Sequence, residues 1–140
     1  NLGKRTVKSP KIYLRDSGLF HALLDLSAFD QLESHPKLGS SWEGFCIEQI
    51  LSITGSSHAY FWATHAGAEL DLFLLHKGKR IGVEIKYSDG PSTTRSMRQA
   101  LEDLSLDHLY VVYPGKEDYP LDKNITVTSL PSILSTIGDL

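Results

Sequence analysis

Asp71, Glu84 and Lys86 are the residues of this sequence whose types and spacing could do chemistry. They lie on two apolar runs within residues 69–86, and Lys77-Gly78 separates the two runs. A pair ending in glycine between two such runs predicts a β-hairpin. Its loop could be the two residues Lys77 and Gly78 or the four residues from His76 to Lys79, and both loops give the same strand pairing. In that hairpin Asp71 lies directly opposite Glu84, and Lys86 lies two residues further along the same face.

Two carboxylates that face each other across paired strands, with Cβ atoms about 5 Å apart, repel and need a compensating charge. A divalent cation such as Mg²⁺ or Mn²⁺ suits this position, because hard cations bind carboxylate oxygens. The Lys86 ammonium could orient a water molecule or stabilise charge that develops on a phosphate. The alternative is a solvated polar face, in which Glu69 and Lys86 form a cross-strand ion pair and no reaction occurs.

The same hairpin predicts an apolar face. Side chains alternate along a strand, so the apolar residues of each run should share one side of the sheet and the acidic residues the other. The residues expected on the apolar side are Leu70, Leu72, Leu74, Ile81, Val83 and Ile85.

Several motifs of the chain, in order, resemble a known family. Asp71 followed by Glu-Ile-Lys at 84–86 looks like the Asp…(Asp/Glu)-X-Lys signature of the restriction-endonuclease-like superfamily. Lys-Ile-Tyr-Leu-Arg-Asp-Ser-Gly-Leu at 11–19, Trp-Glu-Gly-Phe at 42–45 and Gly-Ala-Glu-Leu-Asp at 67–71 resemble a C-terminal domain of unknown function. That domain follows an AAA-type ATPase domain in many bacterial and archaeal proteins.

The resemblance implies an α/β fold with a restriction-endonuclease-like mixed central sheet flanked by helices. It implies hydrolysis of phosphodiester bonds in DNA, with Mg²⁺ or Mn²⁺ held by Asp71, Glu84 and the Ile85 carbonyl. Lys86 would orient the attacking water. The superfamily often places a glutamate of its first core helix beside the metal, and Glu43 occupies the matching position.

Glu43 also has a structural interpretation. The residues Ser-Ser-Trp-Glu at 40–43 fit a capping box, in which the glutamate reaches back to the backbone N–H of Ser40. The helix would begin at Ser40 or Ser41 and run to about Thr54. Glu48 lies roughly 140° further around this helix, so the two glutamates cannot both face one site.

Three basic residues outside the hairpin are candidates for binding substrate phosphate. His65 lies in the turn 64–67, and Arg95 and Arg98 lie one turn apart on a predicted helix over 93–104. The alternative for each is simple solvation, which is common for a loop histidine and for arginines on a helix surface.

The other segments alternate between helix and strand patterns. A strand is predicted over 11–14, and a helix capped by Asp16 or Ser17 follows, with its apolar stripe in the core. Residues 25–39 are predicted to be irregular. Further strands are expected over 58–64 and 108–113, with an edge strand over 125–128 and a closing helix over 131–137. The helix 93–104 between two strands predicts a βαβ crossover and hence a parallel strand pair.

Composition sets bounds on the whole chain. Its 140 residues, 41% hydrophobic and 22% charged, suffice for one globular domain. No apolar run reaches the ~20 residues of a membrane span, and the single Cys46 suits a reducing cytoplasm. Since the sequence does not begin with methionine, we expect it to be a fragment of a longer protein. No phosphate-binding loop motif is present, so ATP would bind only in the upstream ATPase domain of the same polypeptide.

The charge of the chain is uneven. Residues 1–15 carry five basic residues and no acidic one, although the net charge of the chain is −3. This basic arm could contact DNA phosphates, keep the end of the chain solvated, or contact a neighbouring domain. A second hypothesis for the whole chain is a non-catalytic module that docks on the ATPase domain or recognises DNA for it.

Overall fold

The computed structural model describes residues 12–140, which form one six-stranded mixed sheet with helices on both faces. The strand order is β1-β2-β3-β4-β6-β5. Neighbours β3, β4 and β6 run parallel, and the other pairs are antiparallel. The elements are α1 (Ser17–Leu23), α2 (Phe29–Glu33), α3 (Leu38–Thr54), β1 (Ala59–Ala63), β2 (Glu69–His76), β3 (Lys79–Ile85), α4 (Arg95–Asp103), β4 (His108–Tyr113), β5 (Tyr119–Asp122), β6 (Ile125–Ser129) and α5 (Leu130–Asp139). The predicted mixed α/β class is confirmed.

The central hairpin has the predicted register. Leu72 pairs with Val83 and His76 pairs with Lys79, so Lys77-Gly78 is a two-residue loop. Both loop residues have positive φ, 45° for Lys77 and 79° for Gly78, as a type I′ turn requires. This turn matches the right-handed twist of the strands and therefore fixes their pairing.

A hydrophobic cluster covers each face of the sheet. Met97 of α4 packs in one cluster, whereas Ile50 of α3 and Ile133 of α5 pack in the other. Val111 and Val112 are neighbours on β4 and belong to opposite clusters. The helix α4 connects β3 to the parallel strand β4, which confirms the predicted crossover.

Leu70 contradicts the predicted apolar face. It packs on the α4 side of the sheet, whereas Leu72 and Leu74 pack on the α3 side. The pairing of β1 with β2 shifts between Tyr60 and Trp62, where β2 contains one extra residue. A β-bulge of this kind reverses the alternation of side chains beyond it. On β3 the predicted residues do share the α3 side, namely Ile81, Val83 and Ile85.

The first helices also differ from the prediction. Asp16 caps α1 by accepting a hydrogen bond from the Leu19 N–H at 2.9 Å, but α1 contains no buried residue. Leu19 and Leu23 are 53% and 68% exposed, so the expectation that this stripe is core is wrong. The helix α2 interrupts the segment predicted to be irregular. Its first turn forms because the Gln31 side chain accepts hydrogen bonds from backbone N–H groups just before the helix.

Two strand predictions need correction. In the predicted strand 11–14, residues 12–14 form no strand. Residues 1–11, which include residue 11 of that strand and most of the basic arm, lie outside the described residues. The strand β6 is not an edge strand, because β5 pairs along its outer side. The edge strand is β5, which contains Pro120. Proline suits an edge strand because it has no N–H group to donate to a neighbouring strand. Of the helices over residues 12–140, none has the length and apolar character needed to cross a membrane.

We predict that Gly82→Ala destabilises the domain by about 1–2 kcal/mol. A Cβ at this position would lie 2.6 Å from a methyl carbon of Leu106 and 3.3 Å from side-chain carbons of Leu70 and Leu109, and overpacking a core strains it. Gly39→Ala is the control, because a Cβ there meets no atom within 4 Å and alanine favours the helix. Urea unfolding should show the loss only for Gly82→Ala, and equal stability of the two variants would contradict this packing.

Candidate active site

Asp71 and Glu84 lie at the end of the hairpin, where regular pairing stops. The paired part of β2 and β3 ends at Leu72 and Val83. One step beyond, Asp71 Oδ2 accepts a hydrogen bond from the Ile85 backbone N–H at 2.9 Å. The Asp71 side chain therefore links β2 to β3 at the residue next to Glu84. Both carboxylates are buried, with Asp71 7% and Glu84 4% exposed.

Lys86 neutralises one oxygen of Glu84. Its Nζ lies 2.7 Å from Glu84 Oε1, and the lysine side chain is 43% exposed whereas that of the glutamate is 6% exposed. The second oxygen, Glu84 Oε2, is buried and has no hydrogen-bond partner among residues 12–140. An unsatisfied buried carboxylate oxygen is costly. It is therefore the atom of this cluster best suited to a further cation.

The surroundings of Glu84 shift its protonation strongly. Burial and then the Asp71 charge raise the pKa of Glu84 above its ordinary 4.5, Lys86 opposes both effects, and the net result is a pKa of about 7. Burial lowers the pKa of Lys86, but its hydrogen bond to Glu84 and the nearby acidic charges outweigh burial and raise that pKa overall. Lys86 is therefore a cation at neutral pH, while Glu84 is close to its titration midpoint.

Glu69 belongs to the same electrostatic cluster, although the sequence analysis did not place it among the site residues. Its charge raises the pKa of both Glu84 and Lys86. The sequence signal was its position two residues before Asp71. The cross-strand ion pair considered for Glu69 and Lys86 is not formed within the described chain, because Lys86 pairs with Glu84 instead. Burial of Asp71 and Glu84 also contradicts a solvated polar face.

Glu43 lies on α3 and is tied to the segment before α1. The Tyr13 hydroxyl donates a hydrogen bond of 2.5 Å to Glu43 Oε1. The capping box at 40–43 is not formed, because α3 begins at Leu38 and Ser40 already lies inside it. The described acids that shift the pKa of Glu84 are Asp71 and Glu69, and Glu43 is not among them. The catalytic role of Glu43 stays a prediction.

His65, Arg95 and Arg98 share one cleft of about 630 Å³ between the turn after β1 and helix α4. The Arg98 Nη2 also donates to Thr93 Oγ1 at 3.2 Å. Glu102 and Asp103 line the other part of the cleft and reduce its positive charge. The cleft brings together the three predicted phosphate-binding residues but does not include the buried carboxylates.

The carboxylates fit a Mg²⁺ or Mn²⁺ site of low protein coordination. Among residues 12–140, no group of three histidine, cysteine, aspartate or glutamate residues could hold a metal. Asp71 and Glu84 would therefore share the ion with a carbonyl such as that of Ile85 and with water. Mg²⁺ characteristically retains several waters and few carboxylates. The unpartnered Glu84 Oε2 is the observation that supports this fit.

The fold and the site together define a mixed α/β domain with a buried acid–lysine cluster at the end of a central hairpin. The chain belongs to the family described as "Domain of unknown function (DUF4143)", whose model matches residues 38–133. This confirms the resemblance to a domain of unknown function. The match begins at α3, so α1 and α2 lie before it.

Two mycobacterial proteins are similar to the chain. They are "Uncharacterized protein Rv2008c" of Mycobacterium tuberculosis and "Uncharacterized protein Mb2031c" of Mycobacterium bovis, each 46% identical over 136 residues. The match covers 97% of this chain and 31% of each relative. In both relatives the domain is therefore part of a longer polypeptide. No solved structure matches the chain.

We predict that Glu84→Gln stabilises the domain relative to wild type above neutral pH. A folded-state pKa raised to about 7 means that the stability contributed by protonated Glu84 is complete below about pH 4.5 and is lost as the pH rises through 7. The neutral amide avoids this loss. The gain at pH 8 is at most about 3 kcal/mol, because one pKa unit corresponds to about 1.4 kcal/mol.

Urea unfolding at pH 5 and pH 8 measures this difference. Glu102→Gln on the surface of α4 is the control, because it removes one carboxylate from the net charge without touching the cluster. A stability difference between Glu84→Gln and wild type that is the same at both pH values would contradict the assigned environment of Glu84.

Proposed function

We propose that this chain is a metal-dependent nuclease-like domain that hydrolyses phosphodiester bonds in DNA. The observation that carries the proposal is the buried pair Asp71 and Glu84 beside the cationic Lys86, with Glu84 Oε2 lacking a partner among residues 12–140. The mixed sheet flanked by helices agrees with the restriction-endonuclease-like fold that the motifs imply. Fold alone does not establish activity, so the argument rests on the site.

Each residue of the cluster has a role in this proposal. Asp71, Glu84 and the Ile85 carbonyl hold the cation, and the hydrogen bond from the Ile85 N–H keeps Asp71 in place. A bound Mg²⁺ or Mn²⁺ supplies positive charge that polarises the phosphate and activates water. The Lys86 ammonium, positioned by Glu84 at 2.7 Å, orients the attacking water and offsets charge that develops on the phosphate.

Protonation of Glu84 limits the affinity for the cation. Only the ionised carboxylate binds a hard cation, and burial together with the Asp71 charge raises the pKa of Glu84 to about 7 despite the opposing effect of Lys86. Glu84 would therefore have to release its proton before it could hold the cation. In the proposed function, activity rises with pH through the neutral range as Glu84 ionises.

Contacts outside the cluster would hold the substrate. His65, Arg95 and Arg98 provide donors for DNA phosphates from one cleft, and guanidinium groups match phosphate geometry. The basic arm 1–15 would add salt-dependent affinity. An AAA-type ATPase domain in the same polypeptide, which would bind ATP, is the proposed partner. The length of the mycobacterial relatives leaves room for it.

A second function, the non-catalytic module that docks on the ATPase domain, is favoured by a different observation. Helix α1 has seven residues and none is buried, and it exposes Leu19 and Leu23 on one side. Helix α1 packs against α3, where His21 Nε2 lies 2.6 Å from Ser41 Oγ, so Leu19 and Leu23 are on a side of α1 that α3 does not cover. Docking of this face on a neighbouring domain would bury those leucines.

Metal titration distinguishes the two functions. We expect millimolar Mg²⁺ or Mn²⁺ to raise the melting temperature of the wild type by about 2–5 °C, because a ligand that binds only the folded state stabilises it. Asp71→Asn should abolish both this shift and DNA hydrolysis. Lys86→Met should reduce hydrolysis by about 100-fold or more. At alkaline pH, where Glu84 is ionised even without its lysine partner, this variant should keep the metal-dependent shift, since lysine is not a ligand.

Differential scanning fluorimetry and cleavage of end-labelled DNA measure these effects. Asp107→Asn is the matched control, because Asp107 lies at the opposite end of β3, where its carboxylate accepts the Arg80 N–H. A wild-type protein whose melting temperature does not respond to metal would exclude the hydrolytic function and leave the docking function.

A further inference from the structure

Aromatic side chains line a second cleft next to the candidate active site. The rings of Trp42 and Phe45 on α3 have centroids 6.2 Å apart, and Tyr87 packs edge-on against Trp42 at 6.1 Å. The cleft they line has a volume of about 410 Å³, and Phe29 and Pro114 contribute further apolar surface. This volume lies within the usual range for a small organic ligand.

Adjacent residues of the chain link this cleft to the acid–lysine cluster of Asp71, Glu84 and Lys86. Tyr87 directly follows Lys86, so their Cα atoms are about 3.8 Å apart. The cleft therefore begins at the residue next to Lys86, and a nucleic acid bound near the Lys86 ammonium would pass the Tyr87 end of the cleft. The Tyr87 side chain is 40% exposed and that of Phe45 is 38% exposed, so both rings are accessible to such a ligand.

Polar groups are also present around the cleft. His21 Nε2 and Ser41 Oγ lie 2.6 Å apart on its wall, and each can exchange hydrogen bonds with a ligand. The Trp42 indole N–H is buried and has no partner among residues 12–140. Flat aromatic faces with a few polar groups are what unpaired nucleobases require, because they stack and then bond through their edges.

We propose that this cleft binds an unpaired nucleobase, so that the preferred substrate is single-stranded DNA or DNA with an unpaired base at the cleavage point. A paired base is stacked inside the duplex and cannot stack on the exposed rings of the cleft. The assignment rests on the proposed nuclease function, because the base is positioned by the phosphodiester at Lys86.

Fluorescence of Trp42 tests the assignment without hydrolysis. The chain has two tryptophans, and Trp62→Phe leaves Trp42 as the sole tryptophan, whose emission selective excitation separates from that of the tyrosines. In EDTA, the oligonucleotide dT12 should quench this emission, and Tyr87→Ala should weaken dT12 binding roughly tenfold. An abasic 12-mer and a 12-bp duplex should bind at least roughly tenfold more weakly than dT12, because they offer phosphates without accessible bases. Circular dichroism verifies the fold of each variant.

Tyr60→Ala is the matched control. Tyr60 is 46% exposed but lies on the edge strand β1, away from the cleft, so dT12 affinity should not change. Equal binding of dT12 and the abasic strand, or no effect of Tyr87→Ala, would overturn the assignment. Failure of dT12 to quench Trp42 would do the same and leave a protein segment as the occupant.

The two proposals fail in different ways. Binding of dT12 that depends on Tyr87, without hydrolysis when Mg²⁺ is added, would refute the nuclease function and retain a base-binding cleft. Hydrolysis that is equally fast on duplex and single strand, and is unchanged in Tyr87→Ala, would retain the nuclease function and refute the cleft assignment.

Discussion

The burial of Glu84 between Asp71 and Lys86 is the interaction on which the candidate site depends. A carboxylate in such an environment is unfavourable when ionised, because it loses hydration and faces a second negative charge. The ion pair with Lys86 at 2.7 Å offsets part of this cost. The remainder is visible as a pKa near 7. Because the pKa of Glu84 lies near neutral pH, a positive charge added beside it would shift Glu84 strongly towards its ionised form.

The β-bulge in β2 explains how the fold accommodates this arrangement. The extra residue opposite β1 turns Leu70 to the α4 side of the sheet, where it fills the core. Asp71 follows immediately, and its carboxylate, instead of a main-chain carbonyl, accepts the Ile85 N–H. Bulges occur near active sites because they redirect side chains without breaking the rest of the sheet. Here the bulge directs an acid into the site at the expense of regular pairing.

Sequence patterns predicted those parts of the fold that depend on residues close together in the chain. Lys77-Gly78 specified the turn and with it the hairpin register, and the helix predicted over 93–104 forms as α4 and makes the crossover between β3 and β4. The bulge could not be predicted, because it depends on how β2 pairs with β1. The exposure of Leu19 could not be predicted either, since an apolar stripe does not state which surface will cover it.

The geometry of the candidate site was likewise predicted only in part. Spacing brought Asp71, Glu84 and Lys86 together, because a two-residue period and a tight turn leave little freedom. It did not reveal that Lys86 would pair with Glu84 rather than Glu69, since two residues along one strand and one across the ladder are equally near. Nor did it reveal Tyr13 as the partner of Glu43, because 30 residues separate them in the chain.

The positions of the two clefts bear on how a nucleic acid would approach the cluster. The arginines lie on α4, which covers one face of the sheet, and the aromatic rings lie beside α3, which covers the other. Lys86 lies at the carboxyl end of β3 between these two layers. A strand that contacted both clefts would therefore cross this end of the sheet and pass the Lys86 ammonium. A DNA duplex is stiff over lengths far greater than one domain, so it bends around the end of the sheet less easily than a single strand does. A flexible single strand can bend around the sheet end, and this geometric requirement favours it independently of base stacking.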